Sequence, residues 1–111
     1  MSEPDYKKMM ETIVAENRAR AVERSRRRSI LIGDIVDDWK ANGVYDCVAY
    51  CIALCGVAGG LHELATCGWE TFDNDGTAGA EAFFTPYMTY GNARSAVRMM
   101  EDEARRERDE A

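Results

Sequence analysis

The sequence predicts an all-α fold: a compact bundle of five or six helices around a central apolar helix at about 44–58. Three observations carry that prediction. Apolar residues recur at helical spacing in several stretches, strand-type alternation is sparse, and the segment from Cys47 to Cys55 is apolar on every helical face. The chain has 111 residues, which fits one domain and leaves no room for a second core. No repeat or linker interrupts it, so 1–111 is expected as a single helical domain.

Pro4 and Asp5 suit the start of a first helix. Tyr6, Met9, Met10, Ile13 and Val14 then follow at helical spacing, and the pattern thins after Asn17. Residues 18–28 hold six arginines, so a helix over about 5–28 is Arg-rich and charged. At about 35 Å it matches the diameter of a domain this size, which gives one end reason to project. Ser29 is expected to cap a second helix. Leu31, Ile32, Ile35, Val36 and Trp39 form the apolar stripe of that helix, and Asp34, Asp37 and Asp38 lie away from it. Asn42-Gly43 ends it, since these residues suit a left-handed cap.

The central helix over about 44–58 has one charge, Asp46, in its first turn, where an acid suits the helix dipole. Gly59-Gly60 closes it. Leu61 to Cys67 adds one or two turns, Gly68 and Asp73-Asn74-Asp75-Gly76 read as turn and loop, and Thr77 to Phe84 is a weak helix broken by Pro86. Asn92 is placed as the cap of the last helix, whose stripe is Ala93, Ala96, Val97, Met100 and Ala104. The tail at about 101–111 is charged, and it is expected to be frayed or helical in solvent.

The net charge is −6, but its sign is uneven. Residues 1–29 carry eight bases against five acids, and residues 30–93 carry nine acids against Lys40 alone. The acidic body argues against nucleic-acid or anionic-membrane binding by that surface. The N-terminal segment lacks the apolar core of a secretory signal, so a cytoplasmic protein is expected. The longest apolar run, Cys47 to Leu61, falls short of the roughly 20 residues a membrane span needs.

Cys47, Cys51 and Cys55 repeat every four residues, so on a helix they stack along one face. Cβ atoms about 6 Å apart are too far for a disulfide. Two of them at i, i+4, with His62 and Cys67, could make four zinc ligands, but there is no C-x-x-C knuckle and the segment is apolar. Packing as small hydrophobes is the reading adopted, with no metal and no cofactor. A Cys–His nucleophilic pair lacks a facing helical spacing, because Cys67 lies five residues after His62. The glycines at 56, 59 and 60 fit neither a dinucleotide fingerprint nor a P-loop. Asp73-x-Asp75-Gly76 lacks the acids that complete a calcium loop.

Three functional readings follow. The first is a non-enzymatic regulator or inhibitor that binds a protein partner sterically through Asp34, Asp37 and Asp38, with Arg20, Arg24, Arg27 and Arg28 as a second contact surface. Small acidic helical proteins of phages and mobile elements, including DNA mimics and anti-CRISPR proteins, have this size and charge. The second is a Mg²⁺-dependent nucleotide phosphohydrolase using the Asp cluster, with Glu101, Asp102 and Glu103 as the nearest second acidic group. The third is nucleic-acid binding through the Arg-rich segment, which lacks aromatic residues for base stacking. Docking on another copy of the chain is a further use of the opposite charges.

Overall fold

The computed structural model describes residues 5–46, 51–53, 56 and 58–110. The chain is all-helical, and no strand occurs among the described residues. Three long helices account for most of it: α1 (Tyr6–Ala41), α2 (Gly60–Phe84) and α3 (Tyr90–Glu110). Residues 51–53 are also helical. None of these helices is long and apolar enough to cross a membrane.

The expected five or six separate helices therefore reduce in number, and the main reason lies in α1. Ser29 does not cap a second helix; it sits inside one continuous helix of 36 residues. Nothing in residues 24–41 breaks a helix, and its arginines are held by partners on α2 and α3, so the chain has no cause to turn there. Asp5 caps the start, its carboxylate accepting from the Lys8 amide at 3.0 Å. Asn42 and Gly43 end the helix as expected: the Asn42 amide donates to the Asp38 carbonyl at 3.1 Å, and Gly43 takes a φ of 89°. That sign of φ favours glycine.

A central helix beginning near 44 is also corrected. Val44, Tyr45 and Asp46 are not helical. The Asp46 carboxylate instead pairs with Lys40 at 2.8 Å and accepts from the Leu61 amide at 3.5 Å, tying the start of α2 to the end of α1. Most of the apolar Cys segment lies outside the described residues. Within them, Cys51 is buried, whereas Ile52 and Ala53 are exposed.

Helix α2 runs through the expected loop at 73–75, but it kinks at Gly76 (φ 75°, ψ −165°). That conformation is essentially restricted to glycine. The kink is a reversal. Phe84 packs against Gly68, although the two would lie about 24 Å apart along a straight helix. The Phe84 ring is fully buried and meets Trp39 edge-on, with centroids 5.3 Å apart.

Thr89, rather than Asn92, caps α3: its hydroxyl accepts from the Asn92 amide at 3.3 Å. The predicted stripe of Ala93, Ala96, Val97 and Met100 is buried against Ile35, Val36 and Trp39 of α1 and Leu61, Leu64 and Ala65 of α2. Helix α3 continues to Glu110, so the charged tail is ordered helix packed on α1.

The molecule measures 68 × 24 × 22 Å. Its length comes from α1, whose residues 5–22 are all exposed and form a projecting arm.

Candidate protein-interaction surfaces

The C-terminal half of α1 is fixed by Ile35, Val36 and Trp39, all fully buried, and by the Trp39 indole, which donates to the Asn92 carbonyl at 3.0 Å. That anchoring sets the direction of the acidic cluster. Asp34 and Asp37 are exposed, and neither has a hydrogen bond or ion pair among the described residues. Asp38 is half-buried and engaged. It accepts from the Ser95 hydroxyl at 2.9 Å and from the Asn42 side-chain amide at 3.2 Å. The free acidic face is therefore Asp34 and Asp37, with Asp38 serving as a brace to α3.

The acids that a phosphohydrolase would need opposite this face are occupied elsewhere. Glu101 pairs with Arg94 at 2.7 Å and accepts from the Thr77 hydroxyl at 3.2 Å. Asp102 pairs with Arg105, and Glu103 is buried against Arg27. Among the described residues no group of three or more His, Cys, Asp or Glu side chains is placed to hold a metal ion.

The Arg-rich segment divides into a used half and a free half. Arg27 points into the body: its Nε and Nη2 donate to the two Glu103 carboxylate oxygens at 3.2 and 3.3 Å, and Nη2 also reaches Glu110 at 2.8 Å. Arg28 donates twice to Glu107, at 3.0 and 2.9 Å, and to Asp73 at 2.8 Å. Its guanidinium also stands 5.0 Å above the Trp69 ring, within cation–π range. These charge-assisted bonds lower the Glu107 pKa, chiefly through the Arg28 hydrogen bond, and the Glu110 pKa, chiefly through Arg27. Arg20 is exposed and Arg24 half-buried, and neither makes an ion pair among the described residues. Four residues named from sequence as one contact surface thus have different fates: Arg27 and Arg28 join helices, Arg24 walls a groove where its charge helps lower the Glu107 pKa behind the larger effect of Arg28, and Arg20 is exposed and donates to Asn17.

An open groove of about 760 Å³ runs beside this network, walled by Arg24, Arg28, Trp69, Glu70 and Arg108. Trp69 is buried, and its indole N–H has no hydrogen-bond partner among the described residues. Sequence reasoning missed Trp69 and the acids Asp73, Glu107 and Glu110 as partners of the arginines. A signal for the last two existed. Glu103, Glu107 and Glu110 recur at i, i+4 and i+7, on the side of the last helix that carries Met100 and Ala104. No local signal marked Trp69.

The remaining thiol and imidazole do not form a reactive pair. His62 is exposed. Cys67 is half-buried and its thiol lies 3.8 Å from the Glu63 carboxylate. Burial, then the nearby charges of Glu63 and Glu70, push its pKa up, away from a thiolate nucleophile. Cys47 and Cys55 lie outside the described residues. Comparison with models of known protein families, with curated proteins and with solved structures finds no match to this chain.

Proposed function

We propose that the protein is a non-enzymatic, protein-binding regulator or inhibitor. It acts sterically, by laying the acidic face of α1 on a basic, nucleic-acid-binding surface of a partner. The observation that carries this reading is the imbalance of free charge on the body. Asp34 and Asp37 are exposed and neither makes a hydrogen bond or ion pair among the described residues, although the charge of Asp37 adds to that of Asp46, the larger cause, in raising the Lys40 pKa. The bases near them in sequence are consumed: Lys40 by Asp46, Arg28 by Glu107 and Asp73, and Arg27 by Glu103 and Glu110. Over residues 24–110 the chain carries fifteen acids against ten bases, so an approaching basic surface is attracted.

Charge density refines the mechanism. A net charge of −6 over 68 Å is one charge per about 11 Å, against one per about 1.7 Å of duplex DNA. Mimicry of an extended duplex is therefore not what the charge supports. A local patch that docks, steers association and covers part of a partner's binding surface is. Inhibitors of this size and sign, acting in the cytoplasm and encoded by phages or mobile elements, anti-CRISPR proteins among them, are the class the reading points to.

Affinity capture with the wild-type chain and an Asp34→Lys/Asp37→Lys variant tests it. The expected result is a basic protein retained by the wild type at low salt, released as salt rises, and lost from the variant. Equal retention by both chains, or no partner at low salt, overturns the reading.

A further inference from the structure

The acidic face leaves the projecting arm of α1 without a role. Every residue from 5 to 22 is exposed, yet the arm is not polar all round. Tyr6, Met9, Met10, Ile13 and Val14 form one stripe, and they are 68%, 53%, 58%, 46% and 49% exposed. The stripe lies on nearly the same face of α1 that, further along, buries Ile35 and Trp39 against α2 and α3. In the body that face has neighbours. In the arm the same amphipathic pattern continues with none among the described residues.

Three considerations select the occupant. The first is area. At about 150–220 Å² for a fully exposed large side chain, the five residues present about 500 Å² of surface per chain, at the upper end of what a monomer exposes. Two such stripes face to face bury about 1,000 Å², the lower bound for a specific interface. The second is charge. Residues 5–23 carry four acids and four bases, so two arms meet without net repulsion, and an anionic membrane or a nucleic acid gains nothing from a neutral arm. The third is stability. Most helical stability in proteins comes from packing of an apolar face, and the arm's stripe gains it only when something covers it.

We infer that the arm pairs with the arm of a second copy of the chain, antiparallel, with the two-fold axis passing between Glu11 and Thr12. This register brings Met10 level with the partner's Ile13, and Tyr6 level with the partner's Asn17, so the apolar layers are central and polar groups close both ends. The described part of the second arm reaches the level of Arg18, about two turns short of Arg27, where Glu110 ends α3. The antiparallel sense also separates the two acidic bodies by much more than the Debye length of about 8 Å. A parallel pair would set them side by side.

The full chain is tested by sedimentation equilibrium and small-angle X-ray scattering. A dimer is expected, with a maximum dimension of about 115 Å: two 68 Å molecules overlapping by about 20 Å of helix. Met10→Glu/Ile13→Glu should weaken dimerisation at least 100-fold while the emission of Trp39 and Trp69, both in the body, stays unchanged. Met10→Gln/Ile13→Gln, which adds no charge, should weaken it in the same direction. A wild-type monomer at every concentration, a dimer near 70 Å long, or a dimer indifferent to both variants overturns the inference. So does a monomer whose stripe instead binds phosphatidylserine vesicles. Asp34→Lys/Asp37→Lys leaves the arm intact and should leave the dimer unchanged, so this inference and the acidic-face reading fail separately.

Discussion

One substitution, made at two glycines of the same chain, should change stability in opposite directions. Gly68→Ala in α2 places a methyl group where the Phe84 ring already sits, because the reversal at Gly76 folds the end of α2 back onto its middle. The ring has no room to retreat. It is fully buried and edge-packed on Trp39 and Phe83, each 5.3 Å away between centroids. Overpacking of this kind costs about 1–3 kcal/mol and can cost more. Helix propensity pulls the other way, since alanine is favoured over glycine by about 1 kcal/mol in a helix interior. The steric effect should win, leaving a net loss of about 1–2 kcal/mol, the upper half of the overpacking range less the propensity gain. At about 4–8 °C per kcal/mol for a domain of this size, that is a fall in Tm of about 10 °C. Gly33→Ala in α1 meets nothing within 4 Å, so only propensity acts, and a gain of about 1 kcal/mol is expected. Urea unfolding followed by far-UV circular dichroism and tryptophan emission measures both. Phe84→Leu in the Gly68→Ala background should recover part of the loss as a coupling of about 0.5–3 kcal/mol. If Gly68→Ala proved as stable as Gly33→Ala, Phe84 would not lie on Gly68, and the reversal at Gly76 would be wrong.

Other outcomes follow from single features. Gly76→Ala should cost about 1–3 kcal/mol by urea unfolding, because its φ of 75° with ψ of −165° excludes a side chain. Folded-state pKa values of Glu23, Asp46, Glu107 and Glu110 are all lowered by basic partners. Groups of that sign contribute stability that is complete above their unfolded pKa and lost as pH falls through the folded one. Thermal melts should therefore be flat above pH about 5 and fall below about 4.5, with a shallower fall in Glu107→Gln. The raised pKa of Cys67 predicts slow alkylation by iodoacetamide at pH 7, read at that residue by peptide mass spectrometry, and Glu63→Gln should speed it.

The parts of the fold legible in the sequence were those with one local cause. The stripe of Ile35, Val36 and Trp39, the Asn42-Gly43 stop and the Ala93–Met100 stripe each announce themselves by spacing or by a residue with special backbone freedom, and each is found where expected. Gly76 was legible as a place where α2 stops being straight, but the length of helix on either side was not. The Asp-Asn-Asp run before it suggests a loop, whereas Asp73 is kept helical by its bond to Arg28, 45 residues away. The same blindness explains Ser29. A serine before an apolar stripe is a good helix start, and what overrides it is the long-range capture of Arg27 and Arg28 by α2 and α3.

That capture also changes what the charges are for. Read along the chain, the arginines form the most distinctive polar cluster and invite a partner. In the fold, Arg27 and Arg28 form a tether that holds the base of α1 to the last two turns of α3, and so decide where the body ends and the arm begins. Below Arg24 residues 5–22 are all exposed, and the apolar stripe there has no partner among the described residues. Above it, Lys40 and the arginines are spent on internal acids, and Asp34 and Asp37 are left over. One set of ion pairs thus separates two outward surfaces of different chemistry on a single helix, a neutral apolar stripe and an acidic patch. A chain with both can pair with its own copy at one end and hold a basic partner at the other, without either contact drawing on the residues of the other.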